Sequence, residues 1–565
     1  MKANGGETLV DSMKKLGIEY AFGIVGSSLL EVFDLLPLAG IEYIGTRHEQ
    51  WAGHMADGYA RASGKIAALL LQNGAGLTNV VTAASTAKRA NSPILIVSGA
   101  PLSKTIGRGT YQEEDHVAVM MPVTKWSRRV ERADRISENV KTAYNIAMST
   151  PKGPTHIDVP RDFLYEIVDY EGINHNFYLS DVQRTLPVEV LKQIEELIKG
   201  SDRPVLIAGG ACNDKEISAK LIQFSKRLSV PICTTYGHND VVPSDYPLML
   251  GSIGRGGSEA AMKAVKEADL LLCVGTRLDE FTFLPYYGFP YFPKEAKIIQ
   301  FTVNPEHLGR SYQITMGILS SALSAANALA DIANNININE STKNSRFQEF
   351  SEAKHSWEEK ISKREQNSNE IDIKDVYLYL RENLPHNAIV AVDIGASPAF
   401  SYSLLKFYYN RTFMSPGPLG GVGFSIPAAT GASIARKDDP VYALLGDGAF
   451  TMELPALITA IEHKIPLNVV VFDNSAWGME KANQQYFYDS RFIGTNLNNP
   501  DLVTVSKSLG AYSQMVEEYN ELDRTMKDVF SNKGVNVLVV KVDPLKLPLP
   551  ARRDALQKPF RGIYK

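Results

Sequence analysis

PVYALLGDGAFTMELPALITAIEHKIPLNVVVFDNSAWGM, residues 440–479, carries the clearest structural pattern in this chain. One apolar run ends at the Gly-Asp-Gly turn of residues 446–448, and a second ends at Asp473 and Asn474. Between them, apolar residues recur at the i, i+3, i+4 and i+7 spacing of a helix. The stretch therefore predicts a β–α–β unit with an oxygen-bearing side chain at the end of each strand.

These two strand ends have the chemistry of a magnesium diphosphate site. Mg²⁺ takes oxygen ligands in an octahedron and commonly combines one or two protein groups with phosphate oxygens. Asp447 and Asn474 supply two such oxygens, and the backbone carbonyl of Ala476 is a candidate third. Gly446 and Gly448 let the backbone approach a phosphate, and the N–H groups that open the next helix attract the anion. A Gly-Asp-Gly turn alone is usually an ordinary tight turn, so the prediction depends on the joint pattern.

The alternation of short apolar runs with helical stretches continues outward along the chain. Runs such as IAALLL, PVLIAGG and NAIVAVDIG each precede a stretch with helical periodicity. That order is typical of α/β proteins with parallel sheets. The polar segment NNININESTKNS predicts a linker or loop edge. The sequence predicts an α/β fold of three doubly wound parallel-sheet domains and a C-terminal arm, with the boundaries 1–165, 185–335, 370–545 and 546–565.

The composition indicates a globular protein that acts on small molecules. The 565 residues are too many for one core, and 44% of them are apolar. The 59 Lys and Arg residues nearly balance 63 Asp and Glu, which favours neither a nucleic-acid nor a membrane partner. No apolar run reaches the roughly 18 residues that span a bilayer, and the N-terminus lacks a signal-peptide pattern. Because the three cysteines form no disulfide framework or metal-ligand spacing, we expect a cytoplasmic protein.

The joint pattern of turn, helix, strand and asparagine resembles the signature of thiamine-diphosphate enzymes, and the resemblance extends over essentially the whole chain. It implies a pyrimidine-binding, a central and a diphosphate-binding domain, with thiamine diphosphate and Mg²⁺ as cofactors. In that family a glutamate at the end of the second strand contacts the aminopyrimidine and promotes formation of the ylid that attacks a carbonyl. Glu49 in IEYIGTRHE is the matching residue, although a carboxylate there would also cap the next helix. Since the family takes this glutamate and the metal motif from different subunits, the resemblance implies a homodimer or tetramer with interfacial active sites.

The resemblance also implies roles around the cofactor. Val422 matches the bulky apolar residue that holds the cofactor in a V shape, and ordinary core packing also explains an apolar residue there. Gly420 would offer its carbonyl to the 4′-amino group. The implied magnesium ligands are Asp447, Asn474 and Ala476, and the further cofactor contacts are Gly446, Gly448, Ala449, Gly478 and Met479.

Longer segments resemble the sulfoacetaldehyde acetyltransferases within this family, including LLQNGAGLTN, SKTIGRGTYQEEDH and the run of residues 477–501. Such enzymes convert sulfoacetaldehyde and phosphate into acetyl phosphate and sulfite, so two anions must be held. Gln112 matches a glutamine near the thiazolium in acetolactate synthases and is a candidate catalytic residue. The candidate substrate-binding residues are Arg108, Lys481, Gln484 and Arg491. For each, a solvated charge or a structural hydrogen bond is the alternative explanation.

Two other functions stay open. RHEQ and MADGYARASGK also resemble acetolactate-synthase-like carboligases and 2-oxo-acid decarboxylases, which act on pyruvate. Some of these enzymes carry FAD in the central domain, but the glycine-rich MLGSIGRGGSEAA here is equally compatible with a loop, so FAD is not favoured. A non-catalytic nucleotide-binding protein or an NAD dehydrogenase would need a G-x-G-x-x-G fingerprint after a strand. FGIVGSS and IAGGACN lack it, and the presence of both Glu49 and Asp447 favours an enzyme.

Overall fold

The computed structural model describes residues 1–173, 185–254, 256–280, 292–364 and 368–543. Three six-stranded sheets form its framework, and all neighbouring strands within them are parallel. The predicted α/β fold with three parallel-sheet domains is therefore confirmed. The arm predicted for residues 546–565 lies outside the described residues. Within the described ranges, no helix combines the length and the apolar character that crossing a membrane requires.

The N-terminal third of the chain contains, in order, β1 (Lys2–Asn4), α1 (Gly5–Lys15), β2 (Tyr20–Gly23), α2 (Leu30–Ala39), β3 (Glu42–Gly45), α3 (Glu49–Ser63), β4 (Ala67–Leu71), α4 (Ala75–Thr78), α5 (Val81–Ala90), β5 (Ile94–Ala100), α6 (His116–Met120), β6 (Trp126–Arg129), α7 (Ile136–Met148), β7 (Thr155–Pro160) and β8 (Ile167–Asp169). The first sheet has the order β3-β2-β4-β5-β7-β6. Strands β4 and β5 are buried along their whole length, which is why they appear as continuous apolar runs in the sequence. Antiparallel pairing of β1 with β8 joins the two ends of this unit.

The central part contains, in order, α8 (Val188–Lys199), β9 (Pro204–Ala208), α9 (Lys215–Leu228), β10 (Ile232–Thr234), β11 (Met249–Ser252), α10 (Glu259–Lys266), β12 (Leu270–Val274), β13 (Lys297–Thr302), β14 (Met316–Leu319), α11 (Ala322–Asn335) and α12 (Glu340–Ile361). Its sheet has the order β11-β10-β9-β12-β13-β14. The polar segment that predicted a linker instead runs into α12, so that prediction is wrong for its second half. Asn339 caps this helix by accepting from the Ser341 N–H, and most of its polar side chains face solvent, which removes the apolar stripe that identifies a helix.

The C-terminal third contains, in order, α13 (Ile373–Asn383), β15 (Ile389–Val392), α14 (Ser397–Leu404), β16 (Phe413–Met414), α15 (Ser425–Ala435), β17 (Val441–Gly446), α16 (Asp447–Glu462), β18 (Leu467–Asp473), α17 (Gly478–Phe487), α18 (Leu502–Leu509), β19 (Tyr512–Val516), α19 (Tyr519–Ser531) and β20 (Val535–Lys541). The sheet order is β16-β15-β17-β18-β20-β19. The β–α–β unit predicted from residues 440–479 is thus confirmed as β17, α16 and β18. The first and third sheets share one connectivity, although no sequence repeat is evident between them.

The first and third domains share one hydrophobic core, and helices α3 and α15 lie at its centre. Their backbones touch. A Cβ atom at Gly58 would lie 2.0 Å from the carbonyl oxygen of Ala428, and one at Gly431 would lie 1.9 Å from that of Met55. Because α3 begins at Glu49 and α15 follows the loop of residues 420–424, this packing fixes two segments that carry predicted site residues.

Candidate active site

Most of the predicted site residues lie at the carboxyl ends of strands in the first and third sheets. The strand order reverses between β2 and β4 in the first sheet and between β15 and β17 in the third sheet. Ligands of open parallel sheets bind at such reversals. The loops that follow β2 and β4, and those that follow β15 and β17, therefore line the candidate active site.

Asp447 and Asn474 follow two adjacent parallel strands, β17 and β18, and so lie at the same edge of the third sheet. Asp447 is 1% exposed. Burial raises its pKa to about 6, and the nearby Asp473 adds to the rise. A bound cation would offset both effects. The backbone N–H of Ala476 donates to Asn474 Oδ1 at 3.1 Å and so orients this side chain.

Asn499 joins the two strand ends and was not singled out by the sequence. Its Nδ2 donates to Asp447 Oδ2 at 2.6 Å and lies 3.4 Å from Asp473 Oδ1. Lys541, at the end of β20, forms an ion pair with Asp473 Oδ2 at 2.8 Å. Asp473 therefore has a cationic partner, whereas no Lys, Arg or His in the described ranges forms an ion pair with Asp447.

The space above these strand ends fits a metal-bound diphosphate. A Cβ atom at Gly395 or Gly446 would meet no atom within 4 Å, so the surface is open there. Helix α16 begins at Asp447 and directs its first N–H groups toward this space. Across the described residues, no cluster of three or more His, Cys, Asp and Glu side chains forms a metal site by itself. The geometry fits a cation that takes two protein oxygens and completes its shell with phosphate oxygens.

Two glycines beside this space are sterically required. A Cβ atom at Gly448 would lie 2.6 Å from the Trp477 ring, and one at Gly478 would lie 2.9 Å from Asn474 Nδ2. Any other residue would displace the ring or the candidate metal ligand. The residues that the resemblance assigned to the diphosphate lie in the first turns of α16 and α17, namely Gly448, Ala449, Gly478 and Met479.

Asp393, which follows β15 and is fully buried, forms hydrogen bonds that support the loop of residues 420–424. Gly420 has a left-handed backbone (φ +66°), and the half-buried Val422 packs against the shared core. Asp393 accepts three backbone N–H groups beyond its own loop, those of Gly423 (3.2 Å), Phe424 (2.6 Å) and Ser425 (2.9 Å).

A second buried carboxyl group, Glu453 of α16, supports the same segment. It accepts from the Ile426 N–H and, at 3.3 Å, from Ser425 Oγ. Burial raises the pKa of Glu453 well above its usual value, and the adjacent Asp393 carboxylate raises it further. Glu453 is therefore the group that holds a proton beneath the loop that carries Gly420 and Val422.

Glu49 is the first residue of α3, and its side chain is half-buried. Asn79 Nδ2 donates to Glu49 Oε2 at 2.9 Å. The helix cap is not Glu49 but His48, whose Nδ1 accepts from the Gln50 N–H. The Glu49 carboxylate therefore does not cap the helix. One of its two oxygens accepts from Asn79, and the other is open to a ligand.

The candidate substrate residues have different surroundings. Lys481 is 7% exposed and lies 5.4 Å above the Phe492 ring. Gln484 forms hydrogen bonds within the chain: its amide donates to the Ile493 carbonyl (3.0 Å) and accepts from the Ile493 N–H (2.9 Å). Arg491 is exposed and forms an ion pair with Asp489 at 3.2 Å. Arg108 is exposed on the loop after β5.

Within one chain, the segment that leads to Glu49 contacts the end of α16 opposite to Asp447. Arg47, two residues before Glu49, forms an ion pair with Glu462 at 2.8 Å. Glu462 ends α16 and Asp447 begins it, and the helix has 16 residues. At about 1.5 Å per residue, its two ends are about 22 Å apart.

A cavity of about 520 Å³ lies at the reversal between β9 and β12 of the central sheet, where all three domains meet. Its lining is rich in cationic and imidazole side chains, including Arg61, Arg89, His238, Arg277 and Arg411. VGTRLDEF contributes to the lining, whereas the described residues of MLGSIGRGGSEAA do not. The sequence did not predict this cavity, because its walls come from segments far apart in the chain.

Three family models match the chain: the thiamine pyrophosphate enzyme N-terminal TPP binding domain at residues 3–119, the central domain at 191–329, and the C-terminal TPP binding domain at 393–540. Thiamine pyrophosphate is another name for thiamine diphosphate. The matched segments contain the central sheet in full, the first sheet without β6 and β7, and the third sheet without β15 and the last residue of β20.

Full-length relatives agree with these matches. A sulfoacetaldehyde acetyltransferase from Rhodobacter capsulatus is 32% identical over 99% of this chain and 97% of its own length. One from Alcaligenes xylosoxydans is 31% identical over 100% and 97%. The acetolactate synthase large subunit of Haemophilus influenzae is 30% identical over 99% and 98%.

Fold, site and matches together define an enzyme that depends on thiamine diphosphate. The chain belongs to the thiamine pyrophosphate enzyme family. Within it, the chain is similar to both the sulfoacetaldehyde acetyltransferases and the acetolactate synthases.

Proposed function

We propose that this enzyme transfers a two-carbon unit, converting sulfoacetaldehyde and phosphate into acetyl phosphate and sulfite. The relatives that carry the name sulfoacetaldehyde acetyltransferase support this proposal, since they align along nearly their whole length. The reaction requires the protein to hold a sulfonate and a phosphate beside the cofactor, so it needs cationic groups that no internal carboxylate neutralises.

Lys481 is the observation on which the proposal rests. It lies one turn into α17, the helix whose first residue, Gly478, contacts the candidate metal ligand Asn474, and it is almost fully buried. In the described part of the chain, no carboxylate lies within 4 Å of its ammonium group, which instead lies over the Phe492 ring. A buried charge without a partner is unfavourable. An anionic ligand such as phosphate would supply the missing countercharge.

For the cofactor, we propose that Mg²⁺ takes the side chains of Asp447 and Asn474 and the carbonyl of Ala476. Thiamine diphosphate, when bound, supplies a nucleophilic carbon for carbonyl groups and an electron sink. Glu49 would hold the proton at N1′ of the aminopyrimidine. Val422 would support the bent cofactor, and Gly420 would accept from its 4′-amino group.

We propose that the active site forms between two copies of the chain. Arg47, two residues before Glu49, contacts the end of α16 that lies about 22 Å from Asp447. Large apolar side chains are also exposed near both halves of the site, including Tyr111 at 87% and Ile493 at 82%. Contact with a second chain would remove these side chains from water. A dimer would bring Glu49 of one chain to Asp447 of the other.

An acetolactate-synthase-like reaction on pyruvate is the second candidate. The acetolactate synthase relatives, at 30% identity over the full length, support it almost equally. Pyruvate has a carboxylate, to which the Lys481 ammonium group would also bind. This reaction does not consume phosphate. The dependence on phosphate therefore separates the two candidates.

The deciding assay supplies the purified enzyme with thiamine diphosphate, Mg²⁺, phosphate and either sulfoacetaldehyde or pyruvate. We expect sulfite and acetyl phosphate from sulfoacetaldehyde, in equal amounts and only with phosphate. Carbon dioxide with acetolactate from pyruvate, and no sulfite from sulfoacetaldehyde, would overturn the proposal.

A variant refines this assay. Lys481→Met removes the buried charge and should raise the KM for phosphate about tenfold or more, because it deletes a charged contact. The matched control is Lys507→Met, an exposed lysine on α18, which should behave as wild type. An unchanged KM for phosphate in Lys481→Met would exclude Lys481 as the phosphate-binding group.

FAD is not part of the proposal. The central cavity leaves room for a ligand, but the described residues of the glycine-rich stretch that suggested FAD lie outside its lining. An absorption spectrum of the purified protein tests this expectation, and we expect no flavin band.

A further inference from the structure

Three side-chain amides, those of Gln72, Asn73 and Gln112, contact one another at the strand reversal of the first sheet. Gln72 and Asn73 follow β4, and Gln112 lies in the loop after β5. Gln72 Nε2 donates to Asn73 Oδ1 at 2.5 Å and to Gln112 Oε1 at 2.9 Å. The orientation of each amide follows from its neighbours, because backbone groups fix both ends of this network.

Ser28, in the loop after β2, fixes the first end. Its backbone N–H donates to Gln72 Oε1 at 3.0 Å, and its Oγ lies 2.8 Å from the same oxygen. A backbone N–H can only donate. The atom of Gln72 that faces Ser28 must therefore be the oxygen, and the Gln72 NH₂ must face Asn73 and Gln112.

Backbone carbonyls fix the other end. Asn73 Nδ2 donates to the carbonyl oxygens of Gln112 (3.2 Å) and Tyr111 (3.5 Å). A carbonyl can only accept, so Asn73 turns its oxygen toward Gln72. Gln112 must likewise present its oxygen to Gln72. Its NH₂ group therefore points away from the network and, among the described residues, meets no acceptor.

The surroundings hold Gln112 in a specific place. Its backbone is left-handed (φ +57°), a conformation that non-glycine residues adopt rarely and that clusters at functional sites. The Gly74 N–H donates to His116 Nε2 at 2.8 Å, and the buried Asp158 holds the other ring nitrogen of His116 at 2.8 Å. A Cβ atom at Gly74 would lie 3.0 Å from Gln112 Cβ. The turn and the Gln112 loop are thus locked together.

Gly76, two residues after Gly74, lies between Gln72 and Glu49. A Cβ atom at Gly76 would lie 3.0 Å from Gln72 Cβ and 3.5 Å from Glu49 Oε1. Only this glycine separates the amide network from the carboxylate that the proposed function places against the cofactor.

We propose that Gln72 is a positioning residue, which fixes the Gln112 amide so that its two N–H groups donate to an oxygen of the bound donor substrate. This inference rests on the proposed function for the location of the donor. Both candidate donors offer suitable acceptors, a sulfonate or a carboxylate beside the carbonyl. Gln72 acts only through Gln112, because its own four hydrogen bonds are all made within the chain.

Gln72→Glu reverses the polarity of this contact at nearly constant shape. The introduced carboxylate would keep both bonds from Ser28 but would offer an acceptor to Gln112, whose amide must then rotate and turn its oxygen toward the substrate. We expect kcat/KM for the donor to fall about tenfold or more, mainly through KM. Gln193→Glu, on the exposed face of α8, makes the same chemical change away from the site and should have no effect.

A double-mutant cycle shows whether Gln72 acts through Gln112. In a Gln112→Met background the amide is absent, so adding Gln72→Glu should change kcat/KM by less than about twofold. Any damage that reaches the site through Asn73 would persist in that background. Equal losses in both backgrounds would overturn the proposal. If sulfoacetaldehyde is not the donor, the cycle is measured on pyruvate.

A second measurement needs neither donor nor cofactor. In the apoprotein labelled with ¹⁵N-glutamine, the Gln112 side-chain signals are identified by their loss in Gln112→Met. We expect their protons to exchange rapidly with water in the wild type and more slowly in Gln72→Glu, where they would donate to the introduced carboxylate. Unchanged exchange in Gln72→Glu would overturn the proposal even if the proposed reaction is confirmed. Slowed exchange would support it even if the reaction is not.

Discussion

Glu49 and Glu453 are both carboxyl groups close to the candidate site, but their surroundings give them different chemistry. Glu49 is half-buried, has one amide partner and keeps an oxygen open. Glu453 is fully buried beside Asp393, and both of its oxygens are within the reach of Ser425. The first is placed to exchange a proton with a ligand, whereas the second is placed to hold a proton inside the protein.

Glu49→Gln should lower kcat by about 10²–10⁴-fold, because it removes the acid–base group while preserving shape. The amide oxygen of the introduced glutamine can still accept from Asn79, so we expect thermal unfolding and thiamine-diphosphate retention to stay close to those of the wild type. Glu189→Gln, an exposed glutamate of α8, is the control and should keep full activity. A nearly wild-type rate for Glu49→Gln would remove this residue from the mechanism.

Glu453→Gln should reduce the pH dependence of stability. Burial and Asp393 raise the pKa of Glu453 in the folded state, so the unfolded chain releases this proton first as the pH rises from about 4.5. The free energy of unfolding of the wild type should therefore fall with rising pH until the buried carboxyl group itself ionises.

A glutamine at position 453 can donate to Asp393 and accept from the Ile426 N–H at every pH. Urea unfolding across neutral and alkaline pH should show a smaller decline for Glu453→Gln than for the wild type. Glu453→Ala should instead lose about 2–4 kcal/mol, because it leaves buried donors without acceptors. Identical pH dependence in Glu453→Gln and the wild type would contradict a raised pKa of Glu453.

At the scale of elements, the contact between α3 and α15 couples the fold to the site. Gly431→Ala would place a Cβ atom 1.9 Å from the Met55 carbonyl oxygen, so the two helices must separate. We expect a loss of about 1–3 kcal/mol, measured by urea unfolding, because overpacked cores rearrange at that cost. Turnover should fall as well, since Glu49 and the segment of residues 420–424 both move with these helices. Wild-type stability and turnover together would show that the contact is dispensable.

The elements differ in how far the sequence predicts them. β17, α16 and β18 were predictable because their apolar spacing is local and their ends carry a turn and an asparagine. Strand order was not, since pairing within a sheet depends on contacts far apart in the chain. The contact between Asn499 and Asp447 was not predictable for the same reason, since the two residues are 52 positions apart in the sequence. Residues 340–345 carry no apolar stripe, so the sequence predicts a linker where the structure has a helix.

At the scale of the whole molecule, the proposed active site needs Glu49 and Asp447 from two copies of the chain. Arg47, two residues before Glu49, contacts the end of α16, and Asp447 begins that helix. Contact with a second copy would bury the exposed Tyr111 and Ile493. This arrangement predicts that neither half functions without a partner.

Hybrid dimers test that prediction directly. Glu49→Gln and Asp447→Ala chains should each be nearly inactive alone. In a dimer with interfacial sites, a hybrid of the two has one site with both native residues and one site with neither. Random pairing makes half of the dimers hybrids, so co-expression should restore about a quarter of wild-type activity. If each chain instead builds its site from its own Glu49 and Asp447, every site in the mixture lacks one residue and no activity returns. Co-expression of Glu49→Gln with Glu49→Ala chains is the matched control, because that pairing leaves no site with a native glutamate in either arrangement.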